Sequence, residues 1–481
     1  MSRQSLYKVG SLLLFIAILA VCARDLHPGR AASVVVPAEP YLVYEFNPSG
    51  SSGVRNLVQM NGSLYLISDF NQSEKLWKAE DPAVAPQMLA EFTNPTSGNN
   101  LMENLTVVGD TLFFSAEANA GAYDLWKSDG TVGGTVLVKD IGSEDEYYSP
   151  HYYLTDVSGQ LLFAAREDLY SDRIWKSDGT TDGTQMVKDI PPAVVTLGSS
   201  VVTTGNLLFF VGTAGESIDD KYELWRSDGT AAGTIMPKDI NPSGNAVYNM
   251  GSRDWLALNG VVYFRADDGS GYVLWRSDGT EAGTYKVKAS EPTYPGDFAS
   301  IDNQFYFRGS DAILGSELWQ SDGTADGTLL VKDINPSSGS SPMYLTNVNG
   351  TLFFIASDGT HGLELWKSDG SEAGTVLVKD INADKGCSCL NLTNVNGTLY
   401  FSADDGVHGQ ELWMSDGTSA GTVMVADLNP GSANSYPKSL TVINNTLYFV
   451  ANDGVHDIEL WALDTTTTST GTWSFLPFMQ K

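Results

Sequence analysis

Cysteine is nearly absent from this 481-residue chain: Cys22 lies in an apolar N-terminal run, and only Cys387 and Cys389 follow it. Disulfides are therefore excluded as the source of stability. A Cys-Ser-Cys pair is also too few ligands for a zinc site, and it reads as two loop thiols or one local bridge. Basic residues are scarce, 28 against 58 acidic ones, for a formal net charge of -30. Such a polyanion is a poor partner for nucleic acid or an anionic membrane surface, which select basic patches. Histidine is rare, and no Ser or Cys nucleophile is placed with it to suggest a triad.

Apolar runs long enough to span a membrane are missing too. The one candidate is the start of the chain. Arg3 and Lys8 precede an uncharged stretch from Val9 to Ala23, which ends in Val21-Cys22-Ala23. This pattern predicts a signal peptide over residues 1–23 with cleavage after Ala23. Lipidation at Cys22 is the alternative, made less favourable by the bulk of Val21. A linker over 24–40 follows. The expected address is secreted or cell-surface, with no membrane span once the leader is removed.

What the chain does have is a repeat. Leu/Ile-Trp recurs at Trp77, Trp126, Trp175, Trp225, Trp275, Trp319, Trp366, Trp413 and Trp461, at spacings of 44–50 residues. These nine tryptophans number the units used below. Unit seven can be read strand by strand. Tyr344–Val348 is a strand, and Asn349-Gly350 is a hairpin signal because both turn positions need positive φ. Thr351–Ala356 is an apolar second strand, and Asp358–Gly362 turns the chain again. Glu364–Ser368 is the third strand, Asp369–Gly374 a tight loop, and Thr375–Ile381 the fourth strand. Four short antiparallel strands per unit predict an all-β fold, a β-propeller of about nine blades over residues 41–464. An eight-bladed ring or two smaller rings are the alternatives.

The near-continuous apolar second strands predict burial on both faces. The fourth strand, which tolerates Pro237, reads as an outer edge. Unit nine stops at Asp464 without a fourth strand. The segment Tyr41–Ser49 matches the fourth strand and following loop of unit six, Leu330–Ser337. The two ends are therefore expected to pair and close the ring. Residues 465–481 read as a Thr-rich linker and a short apolar tail.

On Glu364-Leu365-Trp366-Lys367-Ser368-Asp369-Gly370 and its copies, the chain resembles the bacterial ELWxxDGT-repeat family from Tyr41 to Asp464. The resemblance implies an exported, repeat-built β protein and assigns no activity. Units one and nine depart from the motif, with Lys78-Ala79-Glu80 and Ala462-Leu463-Asp464 in place of the Asp-Gly loop.

Three sets of residues are candidates for chemistry. Asp129, Asp178, Asp228, Asp278, Asp322, Asp369 and Asp416 open the Asp-Gly-Thr/Ser loops. A hairpin loop closed by Asx bonds is the structural reading, and calcium is the functional one. The repeated tryptophans read as packing between blades, with sugar stacking as the alternative. His361, His408 and His456 occupy equivalent turns in three units. Tyr147, Tyr148, Tyr248 and Tyr294 sit in the irregular loops between units, where recognition of an extracellular protein or glycan is expected. The overall expectation is a non-enzymatic binding scaffold without a convergent catalytic set. The alternatives are a polysaccharide-acting enzyme with acids at the channel, and a calcium-stabilised adhesion protein.

Overall fold

The computed structural model describes residues 38–71, 73–93, 102–119, 122–141, 153–168, 171–188, 201–213, 221–247 and 250–466. Tyr147, Tyr148 and Tyr248 lie outside them. The regular elements among these residues are all strands, within one compact unit, Pro37–Thr467.

Unit seven shows the plan. Met343–Val348, Thr351–Ser357, Leu363–Ser368 and Val376–Lys379 pair antiparallel in that order. Asn349 and Gly350 take φ of 50° and 83°, the positive values that match the right-handed twist of the strands they join. Six sheets have four strands and one, unit four, has three. Its fourth strand shrinks to a single bridge between Arg226 and Ile235, just before Pro237, which lacks the N–H a ladder needs. The expected outer strand is thus interrupted there. Units five and six share one eight-stranded sheet. Unit five's own fourth strand is only Tyr285–Lys286. The entering strand Thr293–Ile301 uses the freed edge, pairing Thr293 with Val273.

The two ends meet. Tyr41–Tyr44 pairs with Ile458–Asp464, setting Tyr41 opposite Ala462 and Leu42 opposite Trp461. The Phe46 N–H then donates to buried Glu459, and Ser52 donates to the Ile458 carbonyl.

The cores lie between units. Each second strand alternates its side chains between two neighbours. Phe354 and Ala356 pack toward unit six, while Phe353 and Ile355 pack toward unit eight. Nine hydrophobic clusters each join two consecutive units, and one of them unites Leu64 and Leu66 of unit one with Tyr448 and Val450 of unit nine. Trp126, Trp175 and Trp225 stack on Phe114, Phe163 and Phe210 at 6.3–6.4 Å, each inside its own sheet.

The Asp-Gly loops lock adjacent units on one rim. In unit seven, Asp369 accepts the Ser371 N–H and hydroxyl, and Ser368 and Thr375 join their hydroxyls at 2.7 Å. Lysines of the preceding unit then reach over. Lys332 donates to the Thr375 carbonyl, as Lys139, Lys188, Lys238, Lys288 and Lys379 do to their own next units. Where the next unit lacks the loop, the lysine is absent: Ala426 precedes unit nine and Tyr44 precedes unit one. Tyr44 and Phe46 pack on Trp77 instead.

The loop's second glycine has no room for a side chain. A Cβ at Gly374 would stand 2.0 Å from Asp369 Oδ1. Gly374→Ala is expected to cost about 1–3 kcal/mol in urea unfolding. Gly133→Ala, where a Cβ meets nothing within 4 Å, should be nearly neutral.

Candidate functional site

The most unusual side chains gather around the first strands of units five to seven. The second strands place them. The residue opposite the repeat's leucine is Ile67, Ser115, Val211, Ile355, Ser402 or Val450 in six units, but Arg265 in unit five and Arg308 in unit six. A guanidinium set in an apolar strand is costly unless paired. Each has a carboxylate from a first strand. Arg265 meets Asp254 at 3.3 Å, and Arg308 meets Asp297 at 3.2 Å.

The two pairs touch one cluster. Gly296 makes the space between them, since a Cβ there would stand 2.5 Å from Asp254 Oδ1 and 3.3 Å from an Arg308 nitrogen. Asp254 also accepts the Gly251 N–H at 2.9 Å. Asp297 accepts the Tyr344 N–H at 3.1 Å from the next unit. Arg253 lies over the Tyr344 ring at 5.3 Å and donates to the Leu345 carbonyl. Burial pushes the Asp297 carboxyl above its ordinary value, and nearby Asp254 adds to this. Arg308, the Tyr344 amide and Arg253 oppose the rise without cancelling it. Asp297 and Tyr344 both have positive φ, 54° and 59°, a conformation that costs a non-glycine residue energy.

Tyr294 is the one tyrosine candidate inside the described residues, and it borders this cluster. It is 58% exposed and its ring lies 5.7 Å from Tyr272, over which Arg265 sits at 5.7 Å. The cluster therefore combines two acids, three guanidinium groups and exposed aromatic surface at one irregular junction.

The other sequence candidates are placed differently. The seven aspartates stay in their own loops, each accepting from the Thr or Ser two residues on. Those bonds hold Asp129, Asp178, Asp228, Asp278, Asp322 and Asp369 below the usual carboxylate range. Among the described residues, no three His, Cys, Asp or Glu side chains come together as a metal would require. His361, His408 and His456 each bond through Nδ1 to the aspartate three residues earlier, at 2.7–2.8 Å. Cys387 and Cys389 form a disulfide.

Sequence reasoning missed a second role for the repeat's own glutamate. Glu364 is wholly buried and accepts the Ile381 and Asn382 N–H groups of the loop leaving its unit. Glu223, Glu317 and Glu411 do the same in their units. It also missed the arginine cluster, although a charge inside two otherwise apolar second strands was a usable signal.

No protein-family model matches the chain, and no curated protein matches it either. Solved structures do. A computationally designed protein, Ika8, is 13% identical, with 79% of this chain and 99% of that chain covered and a TM-score of 0.40. Puromycin hydrolase is 14% identical, with 75% and 61% covered and a TM-score of 0.35. Prolyl oligopeptidase B of Galerina marginata is 11% identical, with 76% and 54% covered and a TM-score of 0.36. This chain thus spans little more than half the length of those two proteins. The expectation of a non-enzymatic scaffold is corrected at this point. Asp254 and Asp297, carboxyls of two different units, come together at one junction, where the expectation held that no such groups converge.

Proposed function

We propose that the chain is an exported, nine-bladed β-propeller of the ELWxxDGT-repeat kind that works as a hydrolase, with Asp297 as proton donor and Asp254 as base. The nine inter-unit cores and the strand shared between the two ends support a ring of nine blades. The observation that carries the hydrolase reading is the meeting of two carboxyls in unlike surroundings. Asp297 is buried and pushed up, so it can hold a proton for a leaving group. Asp254 lies beside Arg265 and accepts the Gly251 N–H, and it takes the role of base toward water. Water then adds to the electrophilic carbon, the bond to the leaving group breaks, and the leaving group takes the Asp297 proton. Arg253 and Arg308 steady charge as the bond breaks.

The test is turnover of a panel of polysaccharide fragments and peptides by wild type, Asp254→Asn and Asp297→Asn. Loss of about 10²–10⁴-fold in both variants, with unchanged thermal unfolding, is expected. If Asp297→Asn does not fold, the wild-type pH profile decides, because activity must fall as pH rises past the Asp297 pKa. Full activity in both variants, a flat profile, or no turnover of any substrate by wild type would overturn the reading.

A further inference from the structure

The first strands of units six to nine share one irregularity. Each has a bulge, between Gly296 and Ala299, Met343 and Thr346, Leu390 and Thr393, and Lys438 and Thr441. The first residue inside it takes positive φ each time: Asp297, Tyr344, Asn391 and Ser439, at 54°, 59°, 59° and 55°. A bulge of this kind re-aims the side chain it carries. Hydrogen bonds tie the four positions into one row. The Tyr344 N–H donates to Asp297, the Thr346 hydroxyl to the Leu392 carbonyl beside Asn391, and the Asn391 amide to the Pro437 carbonyl next to Lys438. The row therefore starts at the acid pair and runs across units seven, eight and nine.

Two cations stand on this row without an acid. Arg253 lies over the Tyr344 ring, and its hydrogen bond to the Leu345 carbonyl is long, 3.5 Å. Lys438 is exposed and precedes Ser439. Among the described residues neither pairs with a carboxylate, whereas Arg265 and Arg308 are taken up by Asp254 and Asp297. In a chain with 58 acidic residues against 28 basic ones, a cation readily finds an acid, so two left without one mark a place open to an anion.

We infer that the substrate of the junction is an acidic polysaccharide, whose uronate carboxylates are taken by Arg253 beside the acid pair and by Lys438 further along the row. The inference rests on the hydrolase reading, since it names the substrate of that site. A guanidinium over a ring still has most of its five N–H groups to offer a carboxylate. Asn391 and Ser439, both exposed, suit sugar hydroxyls, and the exposed Tyr294 ring beside the junction suits the face of a sugar. An acidic peptide would bring the carboxylates without the hydroxyls. The net charge of -30 repels an anion at a distance, so attraction is confined to contact with these side chains and needs a chain long enough to reach both cations.

The probes are the dimer and octamer of galacturonic acid, with the carboxyl-reduced octamer as neutral control and octaglutamate as the acidic peptide. Each is titrated calorimetrically into the full chain, so that binding is read apart from turnover. The uronate octamer should bind at least about tenfold more tightly than either control. Lys438→Gln changes an exposed side chain, so it should fold, weaken the octamer by about tenfold and leave the dimer as in wild type. Arg253→Gln should weaken both, and Lys438→Gln decides alone if that variant does not fold. No binding of the uronate octamer, equal binding of the neutral octamer or of octaglutamate, or wild-type octamer binding by Lys438→Gln would each overturn the inference. Tight octamer binding that depends on Lys438 but leads to no cleavage would uphold the row and sink the hydrolase reading. Cleavage of neutral fragments alone would do the reverse.

Discussion

A chain that begins at Gly53 should unfold at far lower urea than the full chain, although it loses only one four-residue strand. That strand is the fourth strand of unit nine, supplied by Tyr41–Tyr44. Its removal leaves an unpaired edge along Ile458–Asp464 and strips Val43, Tyr44 and Phe46 from the cluster joining units nine and one. It also removes the Phe46 N–H and the Ser52 side chain that hold Glu459. Leaving a buried carboxylate without partners costs about 3–5 kcal/mol, before any lost apolar burial is counted. In an open stack of units, the same truncation would fray one end and spare the rest. Here units nine and one share the seam, so both lose their neighbour together. The measurement is urea unfolding of the truncated and full chains, followed by tryptophan fluorescence. A synthetic peptide covering residues 41–52 should restore much of the loss in trans, because an exposed sheet edge accepts an added strand. An unchanged midpoint would show that the seam contributes nothing.

That closure was legible in the sequence because two local signals agreed. The Trp461 unit lacks a fourth strand, and Tyr41–Ser49 reads as one without a unit. The hairpins were legible for the same kind of reason, since Asn349-Gly350 carries its turn geometry in two residues. The site was legible only in part, because Asp254 with Arg265 and Asp297 with Arg308 are each 11 residues apart across one hairpin. The stacking of units five and six is what brings the two pairs together, and no spacing along the chain records that. The lysine clasp lies between these cases. Each lysine and its acceptor loop sit 40–46 residues apart, yet Ala426 and Tyr44 fall just where the following unit has no loop. Comparing each unit with its successor exposes that pairing except at unit one, where Ala90 takes the lysine's position although unit two has the loop. The repeat's buried glutamate was hidden by its ordinary appearance, because an acidic residue at a strand start usually faces water. The tyrosines chosen for recognition illustrate the opposite limit. Only Tyr294 falls in the described residues, and its neighbourhood is set by the unusual strand pairing of units five and six.

The buried glutamates also set the direction of the stability–pH curve. Burial pushes Glu223, Glu364, Glu411 and Glu459 up to about 7, from an ordinary value of 4.5, and raises Glu317 as well. The folded chain therefore holds these protons more tightly than the unfolded chain does. Their contribution is fully present below the unfolded value and is lost as pH rises toward the folded one. Each site contributes a slope of about 1.4 kcal/mol per pH unit across that window. His361 and His456 act in the same direction, because Asp358 and Asp453 raise them above 6.5. The loop aspartates oppose this only in stronger acid. Their folded values are depressed, so their contribution is lost as pH falls below the ordinary carboxylate range. Stability should therefore peak near about pH 5 and fall between pH 5 and pH 8, the reverse of a protein held by surface ion pairs. Urea midpoints measured at pH 5, 6, 7 and 8 read the slope. Glu411→Gln keeps the shape of the side chain but cannot titrate, so it should remove one site's share of the slope while lowering stability at every pH. A midpoint that rises from pH 5 to pH 8 would mean that the backbone N–H groups facing these carboxyls outweigh their burial and keep them ionised.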